Sequence, residues 1–314
     1  MTQYKYNIIT PVYNEARFLP FVIRSIIDQT HPPEQWVIVD DRSTDNTWSL
    51  ITEAAEKYPL IQPVSLSGDT ARRLGPNVVH VFNKGYDCTK VDQLDFTVKM
   101  DADVVLPKQY FEFLLKKFAA DEKLGIASGK TFILKNDRWQ MERCPNVHTV
   151  GPCKMYRLEC FRDIGGLIPI LGWDKLDGAK ARMKGWRTHS ARELPVYHLR
   201  QMGGEMGAVK TYLSYGKSCY YLREGLLFAL GRAIYRSMER PYFSGLFIFI
   251  GYIVALLKQE ERLDDPELAS FFKKEQLRRL SGVTIKQEEL FAEKIGEDKD
   301  KPFALSLFEQ STNG

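Results

Sequence analysis

A repeated pattern restricts this chain most: a short apolar run, then a polar turn, then a stretch with helical spacing. Tyr6-Asn7-Ile8-Ile9-Thr10 stops at Pro11, and Asn14 and Glu15 open a helix with apolar positions Phe18, Leu19, Val22, Ile23, Ile26 and Ile27. Trp36-Val37-Ile38-Val39 is a second run, followed by the polar turn Asp40-Asp41-Arg42-Ser43-Thr44-Asp45-Asn46-Thr47 and a helix over 48–57. Residues 94–100 form a third strand, 107–120 a helix opened by proline, and 125–134 another strand. Between 74 and 82 the sequence reads as a loop, with Gly75-Pro76 as a break and a helix starting near Asn83. Residues 153–161 read as a strand running into a short helix, and 174–184 as a helix closed by Gly185. Alternating strands and helices predict an α/β fold with a mixed, mostly parallel sheet covered by helices on both faces.

At 314 residues the chain can hold one large α/β domain with an appendage, and its net charge of +4 is too small and too dispersed to indicate a nucleic-acid partner. Cysteines 88, 144, 153, 160 and 219 are odd in number and form no Cys-x-x-Cys pair, which fits a reducing, cytoplasmic setting. Cys144, His148, Cys153 and Cys160 match no common zinc spacing. A strand begins almost at once at Tyr6, so no export leader is expected.

The chain changes character late. Between Met206 and Lys258 seven basic residues (Lys210, Lys217, Arg223, Arg232, Arg236, Arg240 and Lys258) face two acidic ones, Glu224 and Glu239. Residues 242–257 make an uncharged run of sixteen, short of the roughly 17–25 that a spanning helix needs. An interfacial or buried helix is expected, and two uses compete for it. It lies peripherally on the inner face of the cell membrane, or it is a lid or homodimer surface burying Phe247, Ile248, Ile250 and Ile253. The expected division is an α/β domain over 1–205, in two halves that meet near residue 105, and a helical extension over 206–314 that frays from Gly296.

Chemistry enters at the strand ends. Asp101-Ala102-Asp103 puts two carboxylates on one side of an extended segment, a pattern suited to a hard cation, although the same triplet also caps helices. In open α/β sheets ligands bind beyond the carboxyl ends of the strands, where Glu15, Asp40, Asp41, Asp101 and Asp103 all fall. So many carboxylates repel one another unless a cation or hydrogen-bond donors offset them.

Pro11-Val12-Tyr13-Asn14-Glu15, Asp40-Asp41, Asn83-Lys84-Gly85, Asp101-Ala102-Asp103 and Gly172-Trp173-Asp174 occur in an order that resembles the family 2 glycosyltransferases of the GT-A fold. The resemblance covers about residues 6–200. It implies an inverting, metal-dependent transfer from a nucleotide diphosphosugar to a glycan or lipid-linked saccharide, with Mg²⁺ or Mn²⁺ as cofactor. It assigns Pro11, Tyr13, Glu15, Asp41 and Asp101 to the nucleotide and Asp103 to the metal, with His198 a candidate third ligand, and makes Asp174 the general base. Arg200 and Trp173 are candidates for the diphosphate or the acceptor. Two positions depart from the family pattern. Arg42 replaces a glycine after the Asp pair, so the turn there does without positive φ or Arg42 reaches toward phosphate, and Trp173 precedes the base where an acid is common. Asp177, one helical turn on, reads as a surface residue in preference to a partner of Asp174. His31, His80, His148 and His189 receive no role.

Other classes fit less well. A sugar-1-phosphate nucleotidyltransferase needs a glycine-rich phosphate loop near the first strand, and Pro11 to Glu15 supplies none. A dinucleotide-dependent oxidoreductase needs Gly-x-Gly-x-x-Gly, also missing there. A non-catalytic nucleotide-sugar-binding assembly subunit has no need of the intact acidic set.

Overall fold

The computed structural model describes residues 4–68, 76–135, 138–142, 144–170, 172–200, 207–238, 241–280 and 302–312. These form two compact units, one running to Arg200 and including the C-terminal 302–312, the other lying within 201–288. The expected extension over 206–314 is thus divided, because its last helix belongs to the first unit.

In the first unit the strands β1 (Tyr6–Val12), β2 (Gln35–Asp40), β3 (Ile61–Ser65) and β4 (Phe96–Met100) pair in parallel in the order β3-β2-β1-β4. Both faces of β1, β2 and β4 are buried. Ile8 and Ile38 face a core shared with α1 (Leu19–Ile27), α2 (Thr47–Lys57) and α4 (Tyr110–Ala120). Ile9, Val37 and Val39 face a second core shared with α3 (Pro76–Tyr86), α5 (Leu158–Asp163) and α6 (Trp173–Met183). This two-sided burial explains why the strands read as continuous apolar runs.

Beyond β4 the sheet becomes mixed. It continues through β8 (Cys153–Arg157), β6 (Leu124–Lys135), β9 (Arg187–His198) and the short β5 (Val104–Val105), and β7 (Arg138–Met141) pairs with β6. β8 runs antiparallel to β4 and β6, whereas β6 and β9 run parallel. The last helix of the unit, α11 (Phe303–Thr312), packs on α1, with Phe308 against Phe18 and Phe21.

Several expectations require correction. α3 starts at Pro76, not near Asn83, since proline suits a first helical turn. α4 starts at Tyr110, later than Pro107. β3 escaped the pattern search because Pro63 interrupts it, and an edge strand tolerates that proline. β9 is longer than its apolar part, 194–197, because its polar first half pairs with β6 through register shifts. Residues 303–312 are helical where fraying from Gly296 was expected; 281–301 lie outside the described residues.

The second unit contains α7 (Ala208–Tyr221), α8 (Leu226–Ser237), α9 (Ser244–Leu257) and α10 (Pro266–Leu280). Among the described residues no helix is long and apolar enough to cross a membrane.

Candidate functional site

Register levels the strand ends. Val12 pairs with Asp40 across β1 and β2, and Ile9 pairs with Lys99 across β1 and β4, so the turns after the three strands open at one edge of the sheet. The first two turns are tied together. Asn14, at φ +53°, accepts the Thr44 amide on its Oδ1 at 2.7 Å, the Ser43 hydroxyl accepts the Asn14 amide at 2.9 Å, and the Thr47 hydroxyl accepts the Glu15 amide at 2.8 Å. Pro11 and Tyr13 stand half-buried beside this latch.

Asp41 is buried, and its Oδ1 receives the Arg42 guanidinium through Nε at 3.0 Å and Nη2 at 2.7 Å. Its Oδ2 receives Asn77 Nδ2 at 2.6 Å, and Arg42 Nη1 donates to the Gly68 carbonyl at 2.7 Å. Arg42 itself sits at φ +62°, so the turn keeps the left-handed conformation that glycine would favour. The expectation of a turn without positive φ is overturned.

After β4 the two carboxylates separate in role. Asp103 Oδ2 meets His198 Nε2 at 3.1 Å and Arg200 Nε at 3.2 Å, and its Oδ1 carries no protein hydrogen bond among the described residues. Arg200 also pairs with Glu15, linking the segment just past β9 to the turn after β1, and lies over the Phe18 ring. Burial alone would raise the Asp103 pKa, but His198 and Arg200 reverse this and hold it below the usual carboxylate value. Burial likewise works against charge on His198, yet Asp103 and Asp101 bring its pKa to about 9. Asp101 is instead raised, because burial and the Asp103 charge exceed the pull of Lys99. An oxygen of Asp103 without a protein hydrogen bond among the described residues fits a Mg²⁺ or Mn²⁺ ion, and His198, an imidazolium while it holds Asp103, could join it only after giving up its ring proton. Such ions take one or two protein ligands and fill the rest with water and substrate phosphate.

The other side of the site is built on two lysines that the strand pattern gave no reason to expect. Lys99 on β4 and Lys154 on β8 are register partners, so both ammonium groups rise from one face of adjacent strands. Their like charges are tolerated because each has its own carboxylate. Lys99 pairs with Asp101 and donates to the Gly151 carbonyl at 3.1 Å, whereas Lys154 binds both oxygens of Asp177 at 2.8 and 2.9 Å. The Trp173 ring has Lys99 Nζ at 5.0 Å and Lys154 Nζ at 5.3 Å from its centroid. At 7% exposure it is a core anchor with no open face for an acceptor sugar.

Helix α6 enters through Gly172 at φ +86° and leaves before Gly185 at φ +87°. Its two acids differ sharply. Asp177, expected at the surface, is buried and bonded to Lys154, to the Tyr156 hydroxyl at 2.5 Å and to the Gly178 amide at 2.5 Å. Asp174 is half-buried, and no hydrogen bond to its carboxylate occurs among the described residues, although Lys154 holds its backbone carbonyl at 2.5 Å. Burial would raise Asp174, and the charge of Lys154, helped by Lys175 and Lys99, more than reverses this. His148, given no role from sequence, neighbours Asp174; burial lowers its pKa to about 3 and keeps it neutral. The charges of Lys99 and Lys154 are visible inside β4 and β8, but β8 also carries Arg157 and nothing local in the sequence pairs the two lysines.

Residues 7–165 match the family model of glycosyl transferase family 2, half of the chain. An uncharacterized glycosyltransferase of Nostoc sp. is 30% identical over 135 residues, 43% of this chain and 39% of the relative. A poly(ribitol-phosphate) beta-glucosyltransferase of Bacillus spizizenii is 23% identical over 220 residues, 64% of this chain and 33% of the relative. The chain thus matches between a third and two fifths of the length of these curated relatives. Among solved structures, the mannosyltransferase PcManGT from Pyrobaculum calidifontis, in complex with GDP-Man and Mn²⁺, aligns with a TM-score of 0.54 at 17% identity, covering 91% of this chain and 82% of that one. That likeness is one of fold. With the family match over half the chain and the GT-A architecture around the acidic strand ends, this chain belongs to glycosyl transferase family 2.

Proposed function

We propose that this protein is a glycosyltransferase that moves a sugar from a nucleotide diphosphosugar to a saccharide hydroxyl, with inversion and with Mg²⁺ or Mn²⁺ as cofactor. One observation carries the reading: Asp103 with His198 and Arg200 forms one wall, the open carboxylate of Asp174 belongs to another, and Lys99, paired with Asp101 and packed on Trp173, joins them. Pro11, Tyr13, Glu15, Asp41 and Asp101 would border the nucleotide. Asp103 and His198 would hold the metal, which when bound stabilises negative charge on the diphosphate.

The protein residues then divide the work. Arg200 brings positive charge to the side where the diphosphate departs. Asp174, kept ionised by its cationic neighbours, takes the proton of the acceptor hydroxyl as that oxygen bonds to the anomeric carbon and the sugar–phosphate bond breaks. Asp177 acts on Asp174 only indirectly, through Lys154. The solved neighbour holding GDP-Man and Mn²⁺ supports the donor class and the cofactor. The relative named a poly(ribitol-phosphate) beta-glucosyltransferase supports a polymeric acceptor; a surface-glycan or lipid-linked acceptor, met on the cytoplasmic side with peripheral membrane contact, belongs to the same proposal.

A thermal-shift screen of nucleotide diphosphosugars tests this. Mn²⁺-dependent stabilisation by at least one donor is expected; pyrophosphate release from a nucleoside triphosphate without sugar transfer would favour a nucleotidyltransferase.

A further inference from the structure

We infer that the outer faces of α8 and α9 dock peripherally on an anionic lipid leaflet. This deepens the membrane contact proposed above and rests on side chains rather than on composition. On α8, Leu226, Leu227, Leu230 and Ile234 are exposed, as is Met238 just past its end, with Leu227 at 84%, Ile234 at 59% and Met238 at 75%. Their spacing, with four of them at successive fourth positions, places them on one face. The exposed positions of α9 are Leu246, Ile250 and Leu257, and the exposed Tyr242 and Phe243 precede the helix. Apart from Gly231 and Tyr235, every exposed residue of the two helices is a large aliphatic one. A helix pair packed for water has the opposite arrangement.

The inner contacts are the complement. α8 buries Ala229 and Ala233, and α9 buries Ser244, Gly245, Gly251 and Ala255 besides Ile248 and Tyr252. A Cβ on Gly245 would lie 1.9 Å from the Ala233 carbonyl oxygen, and one on Gly251 would lie 2.1 Å from that of Leu213. Backbones meeting through small residues, with large apolar side chains turned outward, is how helices pack in lipid.

Length and charge fix the kind of contact. Twelve residues in α8 and fourteen in α9 give roughly 18 and 21 Å at about 1.5 Å per residue, too short for a hydrocarbon core of about 30 Å, so the pair lies in one leaflet. Among the described residues from 207 to 258 the sole carboxylate is Glu224, which is buried and paired with Arg232 at 3.0 Å. Lys210, Arg223 and Lys258 are exposed, and among the described residues the next acidic side chain after Glu224 is Glu260. This charge pattern selects anionic headgroups over a second copy of the same basic surface.

The test uses the full chain and vesicles of phosphatidylcholine with or without phosphatidylglycerol. Wild-type protein should sediment with the anionic vesicles, and Leu227→Glu with Ile234→Glu should lower the partition coefficient at least about ten-fold. Circular dichroism should give unchanged melting for the double variant, since both side chains are exposed. Donor binding, measured separately, should also be unchanged, which keeps failure of this inference distinct from failure of the nucleotide-site reading. Equal binding of wild type and variant, equal binding to neutral and anionic vesicles, or no binding at all would overturn the proposal. Light scattering that shows a wild-type dimer broken by the same substitutions, without vesicle binding, would overturn it in favour of a homodimer face.

Discussion

Replacing Lys154 by Met should expose how far the wall that carries Asp174, the proposed base, depends on one buried ion pair. Lys154 and Asp177 have side chains 0% and 2% exposed, and Lys154 also holds the Asp174 carbonyl at 2.5 Å. Breaking such a pair from one side costs about 3–5 kcal/mol because it strands the other charge. The Tyr156 hydroxyl and the Gly178 amide still bond Asp177, which favours the lower end, about 3 kcal/mol. For a unit of this size that corresponds to a melting temperature lower by roughly 6–12 °C.

The deficit should depend on pH with a definite sign. Asp177 is already raised by burial, against the pull of Lys154, and losing Lys154 raises it further. A carboxyl whose folded pKa lies above its unfolded one contributes stability at low pH and loses it as pH rises through the folded value. The variant should therefore recover stability as pH falls from neutrality toward the ordinary carboxylate range. Urea titrations from pH 5 to 8 of wild type, Lys154→Met, Asp177→Asn and the double variant would measure this, with a coupling of at least about 1 kcal/mol in the cycle. A loss below about 1 kcal/mol, a pH-independent deficit or strict additivity would refute the reasoning.

Two further predictions concern packing and protonation. Gly85→Ala on α3 should destabilise by about 1–3 kcal/mol, read from the denaturation midpoint, because its Cβ would come within 2.6 Å of Ile9 Cγ2 and 2.7 Å of Val39 Cγ2. The acid limb of kcat/KM should fall below the ordinary carboxylate range, since the folded pKa of Asp174 is depressed and its base form is lost only as pH drops through that value. An acid limb near neutrality would remove Asp174 as the base.

Sequence exposed the acidic strand ends of this protein because they are local. Apolar runs and the polar turns that end them are contiguous, so Asp41, Asp101 and Asp103 could be placed at strand ends before any contact was known. Lys154, His148 and Asn77 could not, since their roles depend on which strand lies beside which. The Lys99–Lys154 juxtaposition spans β4 and β8, far apart in the chain, and arises only from antiparallel pairing. Asp177 was misread for the same reason. Helical spacing sets it one turn from Asp174, but only the position of β8 turns it toward a buried lysine. β3 was hidden by Pro63, a residue that an edge strand accommodates and a central one excludes.

The central claim is that metal-assisted donor binding and proton removal reside in different carboxylates. Calorimetric titration of Asp103→Ala and Asp174→Asn with a nucleotide diphosphosugar and Mn²⁺, alongside transfer rates, separates them. Asp103→Ala should lose Mn²⁺-dependent binding, whereas Asp174→Asn should bind the donor as wild type does and lose transfer by about 10²–10⁴-fold. Unchanged Mn²⁺-dependent binding in Asp103→Ala, or full transfer by Asp174→Asn, would contradict the account.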